Sequence, residues 1–545
     1  MLTYNPQMRP KRRDRPWLIF LTALLWVLGT AFFHSPWEPN EPFVMAVVKG
    51  ILENNSWLIP YVSGVPYLKI QPFYFWIYSV PLKLFNVTNI VMIEHGIRVI
   101  NTLLIFAVVS LMGKIGSRLF AFKNGRTVIL ILISSIGIIN NTYQLTPNIL
   151  VLLGFCLYLY SLQQYKNLPG ISGGLMFLGL LFISISFTCG FIIIALLILL
   201  LLPCIDNHFR NRLYFITLVI GIVMFLMVFF LYCYQLYRVE PDFFNTWKNF
   251  YGTLFHPYQD INYLSRIAEI LILLSWYVFP GWLFVIWSVY KRRMSILKDK
   301  IIKISFILIV LLLVFSVFSG INVEESIFPI VLPVVLIASI EVDSIRISFV
   351  SLFNWFGIFI FGVIGLVIWF IYFCLMFDHP VPVVNPLLDL AQRYHFHLSY
   401  LNLFFSVLIT LVWLFMITRK HLKGRELITN WASSTTFILL LFLALCLPWF
   451  DSVLSFKNIV ADSLVYLDKN SCVGTNEKNS VQSALWYYYA DINLIPGFTN
   501  SDYGICNQAI VATDNINQID LTKWHIVWSA KRPVDKRVYY VIKPL

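Results

Sequence analysis

Apolar segments at 17–33, 73–86, 97–113, 127–141, 147–164, 172–187, 191–205, 213–237, 267–290, 304–319, 328–340, 350–377, 399–418 and 433–450 follow one another along the chain, separated by short polar stretches. A bilayer admits such segments only as helices that satisfy their own backbone, so the pattern predicts a polytopic helical bundle. The segment at 73–86 differs from the rest. It is 14 residues long, holds Pro81 and Lys83 and mixes aromatic with polar positions, which predicts a helix lying along the interface. A second interfacial helix is expected at about 42–53. From about Asn458 the chain turns polar, with short β-rich runs at 463–467, 508–512 and 537–542 and a helical run at 480–490. The fold class is therefore an all-α polytopic membrane protein over 1–457 with a small α/β domain over 458–545.

Composition and charge sharpen the topology. With 59% hydrophobic and 12% charged residues, 545 residues do not make a soluble globule. The formal charge of +13 is spread over short Lys and Arg clusters between apolar segments, so it reports membrane orientation and points to no nucleic-acid partner. Arg9, Lys11, Arg12, Arg13 and Arg15 precede the first segment and no small-residue cleavage site follows it, which predicts an uncleaved first span with its N-terminus in the cytoplasm. If all fourteen segments crossed, Lys114, Arg118, Lys123 and Arg126 would lie outside and every later cluster would change side. With 73–86 on the interface, thirteen spans remain, and the basic clusters at 210–212, 291–303, 346 and 419–425 fall inside with 114–126. The first loop, 34–96, and everything after 450 are then outside. Cys472 and Cys506 are the cysteine pair of that outer tail and predict a disulfide; Cys156, Cys189, Cys204, Cys233, Cys374 and Cys446 sit in or beside spans as apolar fillers.

Candidate chemistry concentrates in the first outer loop. Glu38 and Glu41 stand three apart, Pro36, Pro39 and Pro42 stiffen the backbone around them, and Trp37, Trp57 and Tyr67 supply interfacial anchors. A carboxylate held at the edge of a low-dielectric slab can serve as a general base or orient a sugar. The loop reads Trp37-Glu38-Pro39-Asn40-Glu41, then Asn55-Ser56-Trp57-Leu58-Ile59-Pro60, Gly64-Val65-Pro66-Tyr67-Leu68-Lys69-Ile70-Gln71-Pro72 and Phe73-Tyr74-Phe75-Trp76. In order and spacing it resembles the first outer loop of the GT-C glycosyltransferases, where W-x-x-D-E, a short helix, G-D-W-x-x-P, G-x-x-Y-x-x-K-P-P and an aromatic run follow one another. The likeness is to the bacterial branch containing the aminoarabinose transferase of lipid A and, more distantly, to the protein O-mannosyltransferases.

That resemblance implies about thirteen transmembrane helices plus two interfacial ones in a bacterial inner membrane, the α/β domain in the periplasm, and transfer of a sugar from a polyprenyl-phosphate carrier to a lipid, glycan or protein acceptor. Membrane lipids are the other partner, and the missing nucleotide-binding glycine patterns are as expected. Four positions depart from the family pattern. Its acidic residue before the Glu stands here as Asn40, which cannot take up a proton at neutral pH. A second family carboxylate corresponds to Asn148 in Thr146-Pro147-Asn148, the Lys before Pro-Pro is displaced to Lys69, and the T-K-G break reads Thr188-Cys189-Gly190. Catalysis is then expected at Glu41 or Glu38, beside Asn40, with both carboxylates and Lys69 converging on one opening. Lys69, His256, Arg266, Asn148 and Arg98 are expected on the donor side, and Arg98 is also expected to brace the loop by pairing with Glu94 or a first-loop carboxylate.

His256 matches the family's outer-loop His that helps to hold a divalent metal, but no second ligand stands at suitable spacing, so the metal is left unknown. Glu324 and Glu325 are expected as solvated loop charges, and the loop 378–398, with His379, His395 and His397, as a lid or acceptor-side wall. Two alternatives stand beside transfer: a protein of the same fold that binds lipid-linked sugar or assists an assembly without catalysis, and a transporter of lipid-linked sugars. The transporter predicts charged mid-span residues and paired broken helices, and neither is visible.

Overall fold

A computed structural model of the chain describes residues 16–30, 34–119, 124–252, 262–377, 399–418, 424–468, 471–477, 480–497, 506–532 and 534–545. The helices in chain order are α1 (Pro16–Gly29), α2 (Glu41–Asn54), α3 (Pro72–Leu84), α4 (Ile90–Gly116), α5 (Gly125–Ser134), α6 (Ile136–Tyr143), α7 (Asn148–Gln164), α8 (Pro169–Ser184), α9 (Gly190–Ile205), α10 (Arg212–Val239), α11 (Pro241–Gly252), α12 (Tyr263–Tyr277), α13 (Gly281–Arg292), α14 (Lys300–Phe318), α15 (Val323–Ile327), α16 (Val331–Ala338) and α17 (Ile347–Phe377). Two further long helices follow at Tyr400–Ile417 and Gly424–Leu445. Among the described residues, α4, α10, α14, α17 and these two are each long and apolar enough to cross a bilayer. Two bent pairs reach that length together, α5 with α6 at 68° and α12 with α13 at 92°. Helices α7, α8 and α9 are apolar but shorter, at 16 or 17 residues, and α16 is shorter still. Its 8 residues fall well short of the ~20 a straight span needs, and all of them are buried, packed against α5, α13 and α14.

The two bends meet. The chain is extended at Ser135, between α5 and α6, and Gly137 just beyond it lies under the ring of Tyr277, where a Cβ would come within 2.3 Å of the ring. Only glycine lets α6 approach the end of α12 this closely.

The first loop folds as α2, a hairpin and α3. Pro42 and Pro72 stand in the first turns of the two helices, where a fixed φ favours helix and no N–H is missed. Between them β1 (Tyr61–Val62) pairs antiparallel with β2 (Val65–Pro66) across Ser63 and Gly64, both with positive φ (52° and 78°), as a tight hairpin turn demands. Helix α2 is more enclosed than an interfacial helix: every residue from Glu41 to Ile51 is buried. It is sandwiched between α3 and α4 on one side and the C-terminal helix Val481–Ala490 on the other.

The C-terminal region carries a sheet in the order β4-β3-β5-β7-β6. Strand β3 (Val473–Thr475) runs parallel to β4 (Leu494–Pro496) and β5 (Ala509–Thr513), while β7 (Val538–Pro544) is antiparallel to β5 and to β6 (Trp524–Ala530). The runs expected at 508–512 and 537–542 lie on β5 and β7. The run at 463–467 is not a strand: the helix Lys457–Ser463 and a turn occupy it, and Ser463 Oγ accepts the indole N–H of the fully buried Trp486 at 3.0 Å. Cys472 and Cys506 form a disulfide, with Cα atoms 5.1 Å apart, just before β3 and β5.

Lys49 fixes this region to the first loop. Its side chain is 2% exposed, and its ammonium donates to the carbonyls of Tyr487 (3.1 Å) and Tyr488 (2.9 Å) and pairs with Asp491. It caps the C-terminus of Val481–Ala490, where the unpaired carbonyls and the negative end of the helix dipole favour a cation. Ser63 adds a two-way link, donating to Leu494 O and accepting from Leu494 N (2.6 Å).

Candidate active site

Glu41 is part of a sealed ion pair. At the start of α2 its Oε2 accepts the Trp37 N–H at 2.9 Å, and Arg98 from α4 donates Nη2 to Oε2 (3.1 Å) and Nη1 to Oε1 (3.4 Å). The Arg98 Nη2 also reaches His34 O at 2.9 Å. His34 Nδ1 lies 3.8 Å from Glu41, and burial, with Arg98 beside it, holds the imidazole below its ordinary pKa. Glu41 itself is 1% exposed. On the other side of the segment, Asp451 accepts from the Ser35 N–H (2.9 Å), the Ser35 hydroxyl and the Trp37 indole (3.0 Å). Residues 34–41 are thus strapped at both ends, and of the two partners expected for Arg98 it takes the first-loop carboxylate.

Glu38 turns the other way. Its Oε2 accepts from Arg532 Nη2 at 2.6 Å, and the same guanidinium holds Asp535 (2.6 and 2.7 Å) and Leu454 O (2.7 Å) while lying over the Phe456 ring. Asn40 caps α2 through its backbone, with no side-chain capping hydrogen bond. Lys69 is exposed and faces Glu325 of α15. The convergence expected of Glu38, Glu41 and Lys69 does not appear in their contacts: Glu41 pairs with Arg98, Glu38 with Arg532, and Lys69 lies beside Glu325, while a buried aromatic cluster fills the loop. Phe43 stacks on Tyr67 (5.1 Å), Tyr67 meets Phe75 edge-on (6.4 Å), and Tyr74 bonds Tyr78 at 3.4 Å behind them.

The 320–327 loop corrects a second expectation. Glu324 and Glu325 are half-buried and engaged, not solvated. Burial and the neighbouring Glu324 push the Glu325 carboxyl up to about 7, with the Lys69 ammonium working against the rise. Glu324 accepts from Asn140 Nδ2 (2.5 Å) and from the Tyr277 hydroxyl; Asn141 Nδ2 donates to Tyr277 Oη (2.8 Å), and Asn148 Nδ2 to Asn141 Oδ1 (2.8 Å). Asn148 is thus the far end of a chain running to Glu324. Arg266 is committed elsewhere: its Nε and Nη2 donate to Ser316 O (3.1 Å) and Ile321 O (2.6 Å), capping α14 and holding this loop. His256 and the loop 378–398 lie outside the described residues. Among the described residues no group of three or more His, Cys, Asp or Glu side chains is placed to hold a metal.

The sequence reading placed Glu325 and Glu324 in solvent and passed over Tyr277, Arg532 and Asp451. A signal existed for three of these five: the adjacent carboxylates in the turn directly before Phe328-Pro329, and an Asp one residue past the last apolar segment.

The described helices, with a folded loop after the first of them and a five-stranded sheet near the C-terminus, make up a fold that is shared with solved membrane-protein structures. In particular, 96% of the chain superposes on 97% of ArnT from Cupriavidus metallidurans bound to undecaprenyl phosphate, with a TM-score of 0.66 at 13% identity. The apo state of that protein gives 0.64 at 12% identity over the same shares. In sequence, 239 residues are 25% identical to the undecaprenyl phosphate-alpha-4-amino-4-deoxy-L-arabinose arabinosyl transferase of Serratia proteamaculans (strain 568). That match covers 43% of this chain and 40% of the length of the curated relative. No family model matches the chain.

Proposed function

We propose that the chain is a membrane glycosyltransferase that moves a sugar from a polyprenyl-phosphate carrier to a lipid, glycan or protein acceptor at the periplasmic face of a bacterial inner membrane, with its N-terminus cytoplasmic and its C-terminal region periplasmic. The observation that carries this reading is the fold shared over 96% of the chain with an ArnT that holds undecaprenyl phosphate. In the proposed step an acceptor hydroxyl attacks the anomeric carbon, the bond from that carbon to the phosphate oxygen breaks, and polyprenyl phosphate leaves with the electron pair. Lys69 counters the charge on the departing phosphate. Glu325 receives the hydroxyl proton: Asn40 and Asn148 cannot, and Glu41 is enclosed by Arg98 and the Trp37 N–H. Glu41 and Glu38 act as positioning residues for the first loop, and Arg266, Asn148 and Tyr277 position the loop that presents Glu325.

A base in this role must be deprotonated, so with a carboxyl at about 7 transfer rises as pH increases through that value and is lost below it. The test is transfer by the purified chain from a polyprenyl-phosphate sugar, with Glu325→Gln and Lys69→Ala alongside. Glu325→Gln is expected to lower kcat ~10²–10⁴-fold and flatten the pH profile, and Lys69→Ala to raise the KM for the donor; full activity of Glu325→Gln contradicts the assignment. Asn40, Asn148 and the sealed Glu41 favour a second reading, a binder of lipid-linked sugar without catalysis. It predicts co-purified lipid-linked sugar and no transfer to any acceptor.

A further inference from the structure

Three segments far apart in the chain meet at the end of the bundle that is cytoplasmic in the proposed orientation. Between α9 and α10 the chain forms a 3₁₀ turn, Asn207–Phe209, that is held on several sides. Asp206 Oδ1 accepts the His208 N–H at 2.9 Å, the Tyr165 hydroxyl donates to His208 O at 2.9 Å, and the buried Phe209 stacks on the Tyr165 ring (5.8 Å). The backbone that carries His208 is thereby fixed. Each nitrogen of its imidazole faces an ammonium: Lys166, just after α7, lies 3.2 Å from Nδ1, and Lys300, the first residue of α14, lies against Nε2.

This array has more donors than acceptors. A neutral imidazole offers one lone pair and one N–H, so one of the two ammoniums faces a nitrogen that cannot accept from it. The ring stays neutral, because burial, with Lys300 and Lys166 beside it, pulls its pKa down to about 4. The carboxylate of the same turn is already occupied: Asp206 Oδ2 takes the Lys303 ammonium at 2.7 Å and Oδ1 the His208 backbone. Asp299 caps α14, its Oδ1 accepting from the Ile301 (3.0 Å) and Ile302 (3.4 Å) N–H groups. Among the described residues neither Lys166 nor Lys300 has a hydrogen-bond acceptor besides the imidazole. Membrane orientation asks only that basic side chains stay on one side. It does not ask two of them, 42 and 92 residues from His208 in the chain, to close on one ring.

We infer that Lys166, Lys300 and His208 form a binding site for the phosphate of an acidic phospholipid headgroup at the cytoplasmic surface. A phosphodiester brings the charged acceptor oxygens that the two ammoniums and the ring N–H lack, and basic pockets between transmembrane helices on that side suit such headgroups. A lipid is favoured over a soluble phosphate because the same segments carry apolar side chains open to the bilayer. Leu168 and Ile171 at the start of α8, Ile205 at the end of α9 and Phe215 in the first turn of α10 are each at least 44% exposed, a surface along which acyl chains can lie. The binding does not rest on the transferase reading; only the choice of leaflet rests on the proposed orientation.

The experiment uses the full purified chain in detergent micelles, mixed with phosphatidylglycerol or with zwitterionic phosphatidylcholine, and counts retained lipid by native mass spectrometry. The parent chain is expected to retain phosphatidylglycerol at least tenfold over phosphatidylcholine. That preference is expected to fall severalfold in Lys166→Gln and in Lys300→Gln, to return in Lys166→Arg, and to stay intact in Lys291→Gln, which removes a charge from the end of α13 on the same face. Lys166 is exposed and its ammonium has no other polar partner among the described residues, so Lys166→Gln keeps the fold. No preference in the parent chain, or the same preference in the parent, Lys166→Gln and Lys300→Gln, overturns the site. Equal losses in Lys291→Gln and Lys166→Gln reduce the effect to overall charge and overturn it as well. A second arm titrates inorganic phosphate against the bound lipid: displacement only at large excess is expected, while saturable phosphate binding without a lipid preference assigns the site to a soluble phosphate and overturns the lipid.

Discussion

At the residue scale Arg98 serves architecture, and the base is proposed at Glu325. The Arg98–Glu41 pair is almost wholly buried, and removing one partner strands the other charge away from water. Arg98→Met is therefore expected to cost about 3–5 kcal/mol, seen as a lower thermal unfolding temperature of the detergent-solubilised chain, whereas Glu325→Gln leaves that temperature unchanged. A thermal transition insensitive to Arg98→Met contradicts the bracing role. Little of this division was legible in the sequence. The motif spacing marked Glu38, Glu41, Lys69 and Arg98 as belonging together, but it could not tell a sealed carboxylate from an available one, because burial is decided by α4 and Asp451 arriving from 57 and 416 residues away. Glu325 was read as a solvated charge for the same reason: its burial, and the Lys69 and Tyr67 beside it, come from other parts of the chain.

Among elements, α2 determines how the C-terminal region sits on the membrane domain. Its Lys49 reaches the carbonyl end of Val481–Ala490, and Ser63 in the hairpin holds Leu494 of β4. Lys49→Met leaves those carbonyls and Asp491 without their cation, so hydrogen exchange across 481–497 is expected to speed up at least tenfold while exchange in α4 stays as it was; unchanged exchange across 481–497 contradicts the docking role. Long apolar helices were readable because each buries or faces lipid over many turns. The strands were harder to read: β3 and β4 span three residues each, too few for an alternating pattern, and the apolar run at 463–467 packs as the end of a helix because Trp486 covers it.

For the whole molecule, the proposed orientation rests on the basic clusters. With the cluster around 114–126 on the cytoplasmic side, a reporter active only in the periplasm and fused after Leu545 is expected to be active, and the same reporter inserted after Ser117 silent; the reverse pattern contradicts the orientation. The fold was legible at this scale because hydropathy and charge act on whole segments, and the neighbouring ArnT structures superpose over nearly the full chain. What the segments could not convey is that α5–α6 and α12–α13 bend toward each other at Gly137 and Tyr277, which places Asn141, Asn148 and Glu324 in one hydrogen-bonded chain. The most direct test of the account is the rate at which the purified chain releases polyprenyl phosphate from a polyprenyl-phosphate sugar, followed as pH is raised through about 7. The account predicts a rate that climbs across that pH and collapses in Glu325→Gln, and a chain that binds the lipid but releases no polyprenyl phosphate at any pH would contradict it.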